Sequence, residues 1–171
     1  MSNKPSEHNQ LGHEAWALIL IVHARLTRSI DDAVTSAGLL PLEWYDVLLA
    51  LYHADGRRLR LSELADRIVF SRSGLTRLVD RIEEKGLLRR ERSSEDRRGT
   101  FAVLTDAGRE AMKRSWPLYK KEIESRFADH LTTTQAAAMR DGLLKVLAAN
   151  GGGVGPAEES PPVQVNVRTK S

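Results

Sequence analysis

The chain has 171 residues, 41% hydrophobic and 29% charged, with a formal net charge of +3. That length fits one domain with a real core, and the absence of cysteine excludes a disulfide framework, a thiolate zinc site and thiol-based redox sensing. Charge is unevenly spread: residues 56–99 carry 13 Lys/Arg against 8 Asp/Glu, a net of +5, while the remainder carries 13 against 15, so the positive surface sits on the central third, the footprint expected of a nucleic-acid binder.

The opening MSNKPSEHNQ is polar, so residues 1–10 are expected to be disordered and to hold no signal peptide. The longest apolar stretch, Ala15 to Val22, is too short to span a bilayer, and a cytoplasmic protein is expected. A long first helix is predicted from Leu11 to about residue 36, because Trp16, Ile19, Leu20, His23, Leu26, Thr27 and Ile30 recur at three- and four-residue steps. Ala17, Ile21 and Val22 widen its apolar surface, and a helix that is apolar over more than one stripe must bury two sides. In so small a chain, a second copy is the expected cover for one of them. Gly38 and Pro41 close the segment.

A second helix is predicted over Leu42 to His53, with Val47, Leu48, Leu51 and Tyr52 inward, followed by an Asp55-Gly56 turn and a very short alternating strand at Arg58-Leu59-Arg60. Ser62 is the expected N-cap of a third helix running from Glu63 to about Val69. Phe70 and Ser71 make the next turn. The fourth helix then presents Leu75, Leu78, Val79 and Ile82 on its apolar face and ends at Gly86. Its other face carries Arg72, Ser73, Thr76, Arg77, Asp80 and Arg81.

Leu87 to Arg92 reads as a strand, Ser93 to Gly99 as a polar turn, and Thr100 to Leu104 as a returning strand with Phe101 and Val103, or their neighbours, inward. Thr105 is the expected cap of a fifth helix over Asp106 to His130, bent at Pro117. A sixth helix over Gln135 to Ala149 presents Met139, Leu143, Val146 and Leu147. Residues 150–171 are Gly- and Pro-rich and read as a disordered tail.

Helix, turn, helix, strand, Arg-rich turn and strand make a winged helix-turn-helix, in a mainly α (α+β) fold whose flanking long helices form a dimerisation lobe. An exposed helix that enters the major groove needs small hydroxyls for close approach and arginines for base edges and phosphates. Ser71, Arg72, Ser73, Thr76, Arg77 and Arg81 meet that need. In the turn, an arginine at a hairpin tip can enter the minor groove, and Asp96 can hold such an arginine by a charge-assisted hydrogen bond.

The stretch LSELADRIVFSRSGLTRLVDRIEEKGLLRRERSSEDRRGTFAVLTDAGRE resembles the core of the MarR family of bacterial transcription regulators. Its most specific pieces are Asp96-Arg97-Arg98 and Val103-Leu104-Thr105-Asp106-Ala107-Gly108, with Ser71 to Arg81 resembling the recognition helix. The resemblance implies a homodimer on a pseudopalindromic DNA operator. In it Arg98 would be the minor-groove arginine, oriented by Asp96, with Arg97 nearer the phosphates. It implies one domain over 11–149, with a DNA-binding lobe at about 42–105 and dimerisation helices at about 11–36 and 106–149. It also implies a repressor released by a small aromatic or phenolic effector.

Trp16, His23, Trp44, Tyr45 and Trp116 are the candidate effector wall. His13 and His23 are ten residues apart with no close ligand pair, so neither a metal nor another cofactor is expected. The chain has no P-loop, GxSxG, GxGxxG or cysteine nucleophile, which argues against an enzyme. The alternative reading is a winged-helix protein-interaction module without sequence-specific DNA binding.

Overall fold

The computed structural model of the chain describes residues 7–68, 72–92, 99–150, 153–154 and 165–166. Helix α1 spans Glu7–Ser36, so residues 7–10, expected to be disordered, form its first turns. Helix α2 spans Leu42–Tyr52 and buries Leu42, Tyr45, Val47, Leu48, Leu49, Ala50 and Leu51. A helix apolar on nearly every side must lie inside a core, and α2 does. Its first turn has no side-chain cap of its own at Pro41. Instead Asp31 of α1 reaches across, its Oδ1 accepting the Leu42 N–H at 2.8 Å.

After a single 3-10 turn at Asp55–Arg57, strand β1 spans Arg58–Arg60, and helix α3 spans Leu61–Arg67. Helix α3 starts earlier than the expected Ser62 cap. Arg60 takes the cap position, and the Glu63 carboxylate accepts the Arg60 backbone N–H at 3.2 Å. A carboxylate in the first turn satisfies an orphan amide and meets the positive end of the helix dipole, which Ser62 inside the helix cannot do.

Helix α4 spans Arg72–Glu84 and buries Leu75, Leu78, Val79 and Ile82, the face its spacing predicts. It stops at Gly86 with φ +71°. Gly86 N–H donates to Glu83 O at 2.8 Å and Leu87 N–H to Ile82 O at 3.2 Å, the Schellman arrangement that a left-handed glycine permits. Strands β2 (Leu88–Arg92) and β3 (Thr100–Leu104) pair antiparallel, and β1 joins the other edge of β3. The core face of β3 is Ala102 and Leu104, the neighbours of the pair first considered. Phe101 lies on the opposite face beneath two guanidinium groups, Arg58 at 4.6 Å and Arg60 at 5.1 Å from its ring centre.

Helix α5 spans Asp106–Arg126, continuing through Pro117, and a 3-10 turn at Ala128–His130 replaces its expected last turn. Helix α6 spans Thr133–Ala149, capped by the Thr132 hydroxyl and Gln135. Strands β4 (Gly153–Val154) and β5 (Val165–Asn166) pair beyond it. Residues 1–6 and the rest of the predicted tail lie outside the described residues.

The main core joins α2, α3, α4, the sheet and the start of α5 around Leu48, Leu51, Leu64, Leu78, Ile82 and Leu88. A smaller cluster of Ile30, Val34 and Leu42 ties α1 to α2 and α5. Helix α6 buries no residue in the single chain. On α1, Leu11, Trp16, Leu18, Leu20, Ile21 and Val22 remain exposed. Among the described residues no helix is long and apolar enough to cross a membrane, and no three or more His, Asp or Glu are grouped to hold a metal.

Candidate nucleic-acid interface

Burying Leu75, Leu78, Val79 and Ile82 fixes the rotation of α4 and turns its opposite face outward. That face presents Thr76, Arg77, Asp80 and Arg81, all exposed. Arg72 and Ser73 lie in the first turn of α4, but their side chains, like all of Ser71, lie outside the described residues. Asp96, Arg97 and Arg98 do too, so the structure leaves the predicted turn contacts unplaced.

The second half of α4 is tied down on two sides. Arg81 Nη2 meets Glu43 Oε1 of α2 at 3.1 Å. On the other side Asp80 and Glu83 both engage Arg90 of β2. Spacing alone did not single out Glu83 or Arg90. The available signal was two carboxylates three residues apart on a helix, followed after a glycine stop by an arginine inside a strand.

The five candidate effector residues are not gathered into one pocket. Trp16 is 62% exposed on α1. His23 lines a groove of about 690 Å³ between α1, α5 and α6, together with Leu18, Val22, Tyr119, Met139 and Leu143. Tyr45 is 1% exposed within the core, with Trp44 and Trp116 packed against that core. Aromatic side chains bury much area, and core packing accounts for these three.

Tyr119, which the sequence reading passed over, connects the two regions. It lines the groove and meets Tyr45 edge-on at 5.1 Å and Trp116 at 6.1 Å. Burial, with the Asp46 carboxylate nearby, pushes its phenol up to about 12. Burial also raises Asp46 itself to about 6.

A family model described as MarR family matches residues 37–99. The chain is 36% identical over 110 residues to the HTH-type transcriptional regulator MhqR of Bacillus subtilis (strain 168), covering 62% of this chain and 74% of that protein. The chain belongs to the MarR family. Among solved structures, it is similar to the MarR family transcriptional regulator AbsC from Streptomyces coelicolor, at 30% identity and a TM-score of 0.73 over 86% of this chain and 97% of that one. Sco3205 from the same organism, solved in complex with DNA, matches at 28% identity and a TM-score of 0.74, over 87% and 93%. This MarR-family chain is therefore a DNA-binding transcription regulator and not an enzyme.

Proposed function

We propose that the chain acts as a homodimeric repressor that binds a pseudopalindromic operator. The carrying observation is α4, whose apolar side is buried while Thr76, Arg77 and Arg81 stand outward. In this reading Ser71, Arg72, Ser73, Thr76, Arg77 and Arg81 face the major groove, and Arg98, oriented by Asp96 with Arg97 beside it, faces the minor groove. Residues 42–105 form the DNA-binding lobe, and the helices within 11–36 and 106–149 hold two copies together in the cytoplasm. A small aromatic or phenolic effector releases the operator by acting between the lobes, in the groove that His23 and Tyr119 line.

The test is a gel-shift against operators selected from random duplexes, repeated over a salt series. Counterion release makes the affinity of a DNA reader fall steeply with salt, whereas a protein-docking module gives no selected duplex. Arg77→Ala and Arg98→Ala should each cost about 1–3 kcal/mol of operator affinity. Arg81→Ala should cost less, because Arg81 already pairs with Glu43. Unchanged affinity in all three variants would refute the site assignment.

A further inference from the structure

Asp80 and Glu83 sit one helical turn apart on α4, spaced so that both face one neighbour. That neighbour is Arg90, the middle residue of β2. Glu83 grips it twice: Oε1 accepts the Arg90 backbone N–H at 2.7 Å, and Oε2 pairs with guanidinium Nη1. The other terminal nitrogen, Nη2, donates to Asp80 Oδ1 at 2.6 Å. The Arg90 side chain is only 24% exposed.

A planar guanidinium can bridge two carboxylates in a fixed fork, which an ammonium cannot. The backbone contact has its own consequence. Strand β2 is one of the two edge strands in the sheet order β1-β3-β2, and its Arg90 N–H is capped by a side chain from the helix.

The connection between α4 and β2 is therefore fixed at two levels, backbone and side chain. The wing hairpin leaves from β2, and α4 carries the major-groove face. We infer that Asp80, Glu83 and Arg90 form a clamp that sets the angle between recognition helix and wing, so that these three are positioning residues for operator binding and Arg90 is not a phosphate contact. This rests on the DNA-reading function proposed above.

The clamp makes a prediction opposite in sign to simple electrostatics. Glu83→Gln removes a negative charge from a DNA-facing lobe, which by charge alone tightens binding to a polyanion. If Glu83 positions the wing, the same change weakens operator binding, roughly tenfold for one lost charge-assisted hydrogen bond. Arg90→Lys keeps the positive charge. A phosphate contact would survive it, but the clamp loses its fork, again roughly tenfold in operator affinity. The double variant should be little worse than either single one, because the residues act as a unit.

The experiment measures operator affinity of the full chain and the three variants by fluorescence anisotropy. It is run well below the melting temperature, with circular dichroism and mass establishing that each variant is folded and assembled as the wild type is. A purely structural role lowers the melting temperature and leaves affinity of the folded protein unchanged, which overturns the clamp. Glu83→Gln binding as well as or better than wild type also overturns it, as does Arg90→Lys retaining full affinity. If Arg90→Lys does not fold, the neutral isostere Glu83→Gln decides alone. A wild-type chain that binds no selected duplex overturns the DNA-reading function and the clamp with it.

Discussion

Asp46 is half-buried on α2, beside the packed rings of Tyr45 and Tyr119, and burial raises its carboxyl from 3.8 to about 6. The same burial, reinforced by Tyr119 and Asp46, drives the Tyr45 phenol upward. A carboxyl raised in the folded state stays protonated there while the unfolded chain has already lost its proton. Its stabilising contribution is therefore complete below about pH 4 and is lost as pH rises to about 6. Above that window the charged carboxylate weighs on the fold by an amount of order 1–3 kcal/mol. Asp46→Asn should therefore flatten the pH dependence of unfolding between about 4 and 6 and make the protein more stable than wild type at pH 7. Urea unfolding at several pH values reads both effects. Parallel stability profiles for the two proteins would show that Asp46 is not the titrating group.

At the next scale, the joint between α4 and α5 is built from three short contacts. The Thr105 hydroxyl accepts the Gly108 N–H at 3.0 Å and donates to Gly86 O at 2.7 Å, while Thr105 N–H donates to Leu87 O at 3.2 Å. Gly108 is held so close that a Cβ would lie 2.1 Å from Leu87 O and 2.9 Å from Leu104 Cδ1. Backbone cannot yield as a side-chain tip can, so Gly108→Ala should destabilise by about 1–3 kcal/mol or more. Gly12→Ala, which meets nothing within 4 Å on exposed α1, should instead gain up to about 1 kcal/mol of helix propensity. Thermal melts of the two variants check the contrast, and equal melting temperatures would remove the close-packing argument. The same joint shows what the sequence could disclose. Thr105 as a cap and Gly86 as a stop were legible, because local backbone chemistry dictates both. So was the buried face of α4, written in its three- and four-residue spacing. Ser62 is not the cap because Arg60 and Glu63 solve the same problem two residues earlier. Trp44, Tyr45 and Trp116 pack in or against the core, and composition does not distinguish a core aromatic from a pocket one. The Asp80–Arg90–Glu83 contact depends on how β2 docks against α4, which the carboxylate spacing and the strand arginine suggest but do not fix.

The whole molecule presents a surface that a lone chain has no reason to keep. Trp16 at 62%, Leu18 at 60% and Leu20 at 50% exposure lie along α1, with Leu143 at 41% and Val146 at 62% along α6. Contiguous apolar exposure of this kind marks an interface, and two copies related by a two-fold axis can cover each other's α1 and α6 with the same surface. Two reading helices would then be held at a fixed separation, which is what a half-site spacing of about 34 Å requires. The main core lies within residues 40–112 and takes nothing from α6. Disrupting α6 should therefore separate the copies without unfolding the DNA-binding lobe. A Leu143→Glu, Val146→Glu double variant should sediment as a monomer of 19.1 kDa, where the wild type should sediment at twice that mass, and keep the cooperative unfolding of the winged lobe. Its operator affinity should fall by a factor on the order of 10²–10⁴, because each lobe then binds its half-site without the effective concentration that linkage supplies. A wild type that sediments as a monomer would overturn the dimer, and a double variant that stays dimeric would place the interface elsewhere. Loss of dimer mass with operator affinity intact would instead mean that one copy reads the site alone.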